Sequence, residues 1–427
     1  MKKLLLFLTA CIAAFGMSAC GKNQPAQTTL PPAGAAGSVV TETAQPEETE
    51  PDDTVRLTVW VNQSETEITE EMTEAFRQAF PDAAFEITVE GVEQDSCREK
   101  VMDSLMDAAD LFWISDRDLQ AMAEEKALQP VVMSPETIRK RNFDGASEAA
   151  TGQDGTLYAY PASGSGDPVL YYNSGIFTEE DVQSLEAMCS KAAEGDSRIG
   201  WSLGFDDGTL LYSFFAGAGL RVEASEDGKG NLCDWDCPDG EAVCRGILEL
   251  TATGAMVSAA REELLSQAES GALAAWIGSA EDRAQAEKIL GEQFACAKLP
   301  AFQAGDRQIQ MASLAEFDLV AVNPYSDHVG YAMMLAQWLT DGENQLLRYE
   351  KTGKIPVNRE AAQSEKLAGD PVDGAMAAQM AYALANRIGS DYWESAAALS
   401  KTLSEGNPGE QPLSVLLDIA AAGMSGK

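Results

Sequence analysis

Val55-Arg56-Leu57-Thr58-Val59-Trp60-Val61-Asn62 sets Val55, Leu57, Val59 and Val61 on one face and Arg56, Thr58 and Trp60 on the other, the two-residue period of a β-strand. Directly after it, Ser64-x-x-Glu67 has the form of a helix capping box, and Met72, Phe76, Ala79 and Phe80 recur at helical spacing until Pro81 stops the pattern. A second strand is expected at residues 85 to 89 and a second helix around Val101, Leu105 and Met106. A third strand follows at Leu111-Phe112-Trp113-Ile114, then a helix over residues 116 to 126. Strands alternating with helices build a mainly parallel sheet with helices on both faces, an α/β architecture. Ligands of such sheets lie beyond the carboxyl ends of the strands. That rule selects Trp60 and Asn62 after the first strand, and Trp113, Asp116 and Arg117 at the end of the third.

Upstream of this segment the chain is of another kind. Lys2 and Lys3 precede an apolar run over residues 4 to 15, which is followed by Met17-Ser18-Ala19-Cys20. The run is short for a hydrocarbon layer about 30 Å thick, and small residues before a cysteine mark a processing site, so residues 1 to 20 read as a secretory signal. The pattern resembles a bacterial lipobox, which implies lipid on Cys20. Residues 21 to 54 are Pro, Thr, Ala, Gly and Glu with almost no large apolar side chain, a composition that reads as a flexible tether. About 370 residues remain, enough for two lobes of ordinary size.

The net charge is -38, of which residues 1 to 54 contribute -3. Nucleic acid is an improbable partner for so acidic a surface. The single histidine, His328, sits at an apparent loop-to-helix junction and suits a cap or surface role. Its solitude removes every multi-histidine metal site and leaves a Ser-His-Asp triad one candidate base. Beyond Cys11 and Cys20 there are six cysteines, whose fifteen pairings stay open in an exported protein. Cys233, Cys237 and Cys244 match no zinc spacing, and Asp234, Asp236 and Asp239 lack the spacing and closing Glu of an EF-hand loop. Neither a metal nor a cofactor is expected.

Farther along, Leu157 to Pro161 and Val169 to Asn173 are strand-like and flank the run Ala162-Ser163-Gly164-Ser165-Gly166-Asp167-Pro168. A Gly/Ser run can cradle phosphate, but no lysine or helix start follows it, so a crossing between lobes is the better reading. Glu226-Asp227-Gly228-Lys229 has the Asp-Gly signature of a hairpin turn. Residues 271 to 279 read as a buried strand, residues 317 to 322 as another, and Tyr331, Met334, Leu335, Trp338 and Leu339 as an amphipathic helix stopping at Gly342.

Taken in order, these segments resemble the extracellular solute-binding proteins of ABC importers, in particular the maltose-binding-protein-like group. The landmarks are residues 57 to 62, the block Asp110 to Arg117, Ala159-Tyr160-Pro161 with Tyr172-Asn173, the 226 to 229 turn, Gly353-Lys354-Ile355-Pro356-Val357-Asn358, and Tyr392-Trp393. The resemblance implies a two-lobed periplasmic-binding fold of type II, each lobe a mainly parallel sheet flanked by helices, with the ligand cleft between. Residues 55 to 163 and 317 to 368 would form the first lobe, and residues 164 to 316 and 369 to 427 the second. Crossings would fall near Ser163 to Pro168, Ala312 to Phe317 and Ala368 to Val372.

Carried over position by position, Trp113, Asp116 and Arg117 match first-lobe sugar contacts, and Trp393 matches an aromatic platform. A pyranose face can lie on an indole while Asp and Arg bind its hydroxyls. The chain departs from the pattern at Ser64 and Glu65, which replace an acid–base pair, and at Glu281, which replaces a second-lobe aromatic with Trp276 close by. Asp207 and Tyr212 stand where the group has an acid and an aromatic. The resemblance implies a monomeric binder of a small carbohydrate, best a maltodextrin-like oligosaccharide, with permease subunits of an ABC transporter as partners and no catalysis. It would sit on the outer face of the cell membrane through Cys20, or in the periplasm of a host with an outer membrane. A glycan-binding sensory or adhesive lipoprotein is the alternative. A glycoside hydrolase is a further one, needing two carboxylates about 5 Å or about 6.5 to 9.5 Å apart.

Overall fold

The computed structural model describes residues 54 to 225 and 230 to 426. The expected signal peptide, Cys20, the tether up to residue 53, and the turn residues Glu226, Asp227, Gly228 and Lys229 lie outside the described residues. The strands flanking that turn, Val222–Ala224 and Asn231–Cys233, pair antiparallel. No helix among the described residues is long and apolar enough to cross a membrane.

Val55–Val61 forms the expected strand and pairs parallel on both sides, with Phe85–Gly91 and with Leu111–Ser115. Its Val55, Leu57, Val59 and Val61 are all buried. The helix Thr66–Ala79 covers this sheet by burying Ile68, Met72 and Phe76, with the Phe76 ring 4.7 Å from Phe80 and 5.9 Å from Trp338. Three such side chains, at roughly 1.5–3 kcal/mol each on burial, hold the layer in place.

The entry to that helix differs from the capping box expected at Ser64. A 3-10 turn, Gln63–Glu65, intervenes, and Asn62 Oδ1 accepts from both the Ser64 amide (3.2 Å) and the Ser64 hydroxyl (3.0 Å). The Ser64 hydroxyl is thereby turned back on Asn62, and Glu65 becomes the residue before the helix. The second helix, Gln94–Asp103, also stops before Leu105 and Met106, because Ser104 is extended; Met106 is 80% exposed. Gly342 likewise opens the helix Gly342–Thr352, with Asp341 accepting from the Asn344 amide, rather than closing the helix Val329–Leu339.

Two five-stranded sheets result. The first runs Phe85–Gly91, Val55–Val61, Leu111–Ser115, Phe317–Val322, Ala159–Gly164; the second runs Phe294–Ala297, Val169–Asn173, Ala275–Gly278, Ile199–Trp201, Met256–Ser258. Each is mixed, because a strand arriving from the other lobe enters against the grain. Phe317–Val322 is antiparallel to both its neighbours, and so is Val169–Asn173. The remaining pairs of each sheet are parallel. Helices flank each sheet, and the hydrophobic cores are separate: one surrounds the first sheet, and two cover opposite faces of the second. On one of those faces Phe215 stacks on Trp235 at 3.8 Å.

The chain passes between the sheets at residues 164 to 169, and again around Ser313–Ala315, which pairs parallel with Ala383–Ala385. The passages are stitched side by side, since the Ser165 amide donates to the Glu316 carbonyl (3.0 Å) and the Glu316 amide to the Ser165 hydroxyl (3.1 Å). Gly166 is required where it stands, because a Cβ there would fall on the Met376 carbonyl of the helix Pro371–Gln379.

Candidate functional site

Two cavities open at the carboxyl ends of strands, one on each side of the passages. The first, of about 520 Å³, is lined by Ser115, Arg117 and Asp118 at the end of Leu111–Ser115, by Ser163, Gly164 and Ser165, by Glu316, Phe317 and Asp318, and by Lys354. Its size falls within the 300–1,000 Å³ range of small-molecule sites.

The polar side chains of this cavity are held from behind. The Ser115 hydroxyl accepts from the Arg117 amide (3.3 Å) and so caps the helix Asp116–Glu124. Asp116 Oδ1 accepts from the Phe317 amide (3.2 Å), tying the helix start to a passage. Burial pushes the Asp116 carboxyl up to about 6, against the Phe317 amide and the Arg117 charge that favour its ionised form. Arg117 forms an ion pair with Glu316, both side chains being more than half exposed; at that exposure the pair adds little stability.

Deeper in, Lys354 Nζ lies 2.6 Å from Asp318 Oδ2 and 3.0 Å from Glu65 Oε1. The Ser163 hydroxyl donates to Asp318 Oδ2 (2.7 Å). Behind these, Arg348 Nε stands 3.0 Å from Glu65 Oε2, and both side chains are fully buried. The Arg348 guanidinium lies 5.3 Å over the Trp113 ring. Burial lowers the Arg348 pKa. For Lys354 burial also pulls downward, but Asp318 and Glu65 outweigh it and hold the ammonium above its ordinary range.

The second cavity, of about 310 Å³, is lined on its apolar side by Leu210, Leu264, Leu265, Trp276 and Ile277, and by Pro168 and Leu314 from the passages. Its carboxylates are set by backbone amides. Asp167 accepts from Ala280 (2.7 Å), Asp206 from Leu210 (3.0 Å) and Gly208 (3.1 Å), and Asp207 from Thr209 (3.2 Å). Burial raises the Asp167 and Asp206 pKa values. Arg261 Nε donates to Asp282 Oδ1 (2.7 Å).

Of the residues singled out in the sequence, Arg117 and Asp207 line the two cavities, and Asp116 adjoins the first. Trp60 is 6% exposed; its Nε1 donates to Glu90 (2.9 Å) and Lys100 Nζ sits 3.7 Å from its ring centroid, so that indole is already occupied. Trp113, expected as a sugar contact, is 2% exposed inside the first core. The physical reason is its place within an inner strand covered on both faces, where only the terminal residue, Ser115, reaches the cavity. Tyr212, also 2% exposed, is enclosed by Trp235 and Tyr392. Asn62 and Ser64 serve the 3-10 turn and line neither cavity. Glu281 is exposed on the turn Ala280–Asp282 outside both linings. Trp393 is half-buried, its ring 5.0 Å from Tyr392.

Lys354, Asp318, Glu316, Ser115 and Ser163 line the first cavity without having been singled out as ligand-binding. Ser163 lay in the Gly/Ser run and Lys354 in the 353 to 358 landmark, but nothing local shows that residues so far apart converge. The six cysteines Cys97, Cys189, Cys233, Cys237, Cys244 and Cys296 are free thiols; burial pushes Cys97 and Cys244 up to about 12, and Cys189 and Cys233 up to about 11.

Among curated protein sequences none matches this chain. Solved structures do. The maltodextrin-binding protein MalE1 of L. casei BL23 superposes with a TM-score of 0.66 at 24% identity, over 87% of this chain and 99% of that one. An extracellular solute-binding protein of Staphylococcus aureus, in complex with maltose, gives 0.68 at 15% identity over 86% and 96%. The maltose-binding protein MalE of Listeria monocytogenes, also with maltose, gives 0.67 at 17% over 88% and 97%. These likenesses establish the bilobed fold. The family model described as bacterial extracellular solute-binding protein matches residues 71 to 375, more than half of the sequence. This chain therefore belongs to the bacterial extracellular solute-binding protein family, with the fold of its maltodextrin-binding members.

Proposed function

We propose that this protein captures a small carbohydrate between its two lobes, a maltodextrin-like oligosaccharide being the first candidate, and delivers it to an ABC importer. Lipid on Cys20 would hold it at the outer face of the cell membrane. The observation that carries this reading is the pair of cavities beyond strand ends, one on each side of the same passages, with serines and matched charges in one and apolar walls in the other. A sugar offers hydroxyls to the first kind of lining and ring C–H faces to the second. Arg117, Asp116, Asp207 and Trp393 are the contacts we assign to it. A guest touching both walls favours a closed arrangement, whereas one touching a single wall shifts nothing.

A thermal-shift screen against neutral glycans tests the proposal. A specific binder at about 100 times its Kd stabilises the folded state by about 2.7 kcal/mol, and absence of any shift across maltose, maltotriose and other neutral oligosaccharides overturns the carbohydrate assignment. For the anchor, Cys20→Ser is expected to move the protein from the membrane fraction to the soluble one; unchanged membrane retention counts against lipid at that position.

A further inference from the structure

We propose that Lys354, Asp318 and Ser163 form a subsite gripping two adjacent hydroxyls of the guest, and that the buried Glu65 and Arg348 are its positioning residues. This rests on the carbohydrate reading above.

All three proposed contacts line the first cavity. An ammonium has three donor protons; Glu65 Oε1 and Asp318 Oδ2 lie within reach of two of them, which leaves the third for the cavity. A carboxylate has about four acceptor positions, so Asp318 can serve Ser163, Lys354 and a guest hydroxyl together. The ammonium and the carboxylate are 2.6 Å apart. A hydroxyl that accepts from the first therefore places its neighbour on the sugar ring where it can donate to the second.

Behind them Arg348 also donates to the Leu339 carbonyl (3.3 Å) at the end of the helix Val329–Leu339 and lies over Trp113, whereas Glu65 takes its ion pairs from Arg348 and Lys354. Fully burying an acid and a base is costly, and apolar residues of similar volume commonly serve the fold as well or better. Glu65 and Arg348 are nevertheless both fully buried, and the chain of charges they begin ends at the two groups facing the cavity. Lys354 stands between Gly353, which has a left-handed φ of 75°, and Ile355, which bridges Gly164, so its backbone is fixed beside the cavity, and Glu65 and Asp318 fix where its long side chain ends. Two bases and two acids make the set neutral, which suits an uncharged polyol better than an anion or a cation.

The test is calorimetry on the full chain with maltotriose and a panel of neutral oligosaccharides, comparing wild type with Lys354→Met, Asp318→Asn and the double variant Glu65→Met/Arg348→Met. The expected result is at least a tenfold loss of affinity in Lys354→Met and Asp318→Asn at unchanged circular dichroism. The double variant is expected to keep or raise its melting temperature while its affinity falls several-fold, a combination that a purely structural role does not produce. Asp318→Asn preserves volume and the Ser163 bond, so it decides by the same criterion if Lys354→Met does not fold. Binding by wild type with equal affinity in Lys354→Met or, failing that, Asp318→Asn overturns the subsite alone. No glycan binding by wild type overturns the carbohydrate reading, and the subsite with it.

Discussion

Replacing Asp116 by Asn probes the tie between the first lobe and its neighbouring passage. The carboxyl sits at the start of the helix Asp116–Glu124 and accepts from the Phe317 amide, and burial moves its pKa from 3.8 to about 6. In the unfolded chain the group ionises as pH rises through about 4; in the folded chain it holds its proton until about 6. Between those values the folded state binds more protons, so the free energy of unfolding falls as pH rises and levels off above about 6. A shift of roughly two units corresponds to about 3 kcal/mol, and the partial exposure of the carboxyl reduces this to about 1–2 kcal/mol. The Asn side chain keeps an oxygen for the Phe317 amide and carries no charge. Urea unfolding at pH 4, 5, 6 and 7, read as the difference between the two proteins so that the shared acidic background cancels, should show Asp116→Asn gaining that amount relative to wild type from pH 4 to 7. A flat difference, or one of opposite sign, refutes the reasoning.

Other substitutions separate packing from binding. Trp113→Ala removes an indole enclosed in the first core and is expected to cost about 3–5 kcal/mol in urea unfolding; a loss of glycan affinity at unchanged stability would show that the indole serves the ligand instead. Arg348→Met alone leaves Glu65 buried beside Lys354 only, and should cost about 3–5 kcal/mol, most of it recovered by adding Glu65→Met; equal stability of the single and double variants contradicts the pairing. Gly166→Ala drives a methyl onto the Met376 carbonyl and should lower the melting temperature by several degrees, whereas an unchanged value means that the passage gives way easily. Trp393→Ala is expected to weaken glycan affinity more than tenfold in calorimetry, and unaltered affinity removes Trp393 from the site.

Periodicity carried the strands and helices of the first lobe because each residue's face there is set by near neighbours. Val55 to Val61 alternate as written, and Met72 and Phe76 face inward at helical spacing. Order of entry into a sheet is another matter: that Phe317–Val322 would insert between Leu111–Ser115 and Ala159–Gly164 depends on a return from the other lobe, which local pattern does not record. The site divides along the same line. Arg117 follows the strand Leu111–Ser115 closely and is legible from the strand-end rule as a cavity residue, whereas Asp207, six positions beyond the strand Ile199–Trp201, is marked only by the family resemblance. Lys354 and Asp318 are 36 positions apart and meet only because the two helices between them fold the chain back onto the strand Phe317–Val322. Trp113 misleads for a physical reason, since an indole two residues before a strand end has the type of a sugar platform but the surroundings of a core residue.

Small-angle X-ray scattering of the protein, alone and saturated with whichever neutral glycan gives the largest thermal shift, tests closure on a shared guest most directly. Two lobes drawn together by one ligand predict a smaller radius of gyration in the saturated sample, with a loss of affinity when either Arg117 or Asp207 is replaced by Ala. An unchanged radius at full saturation would contradict capture between the lobes.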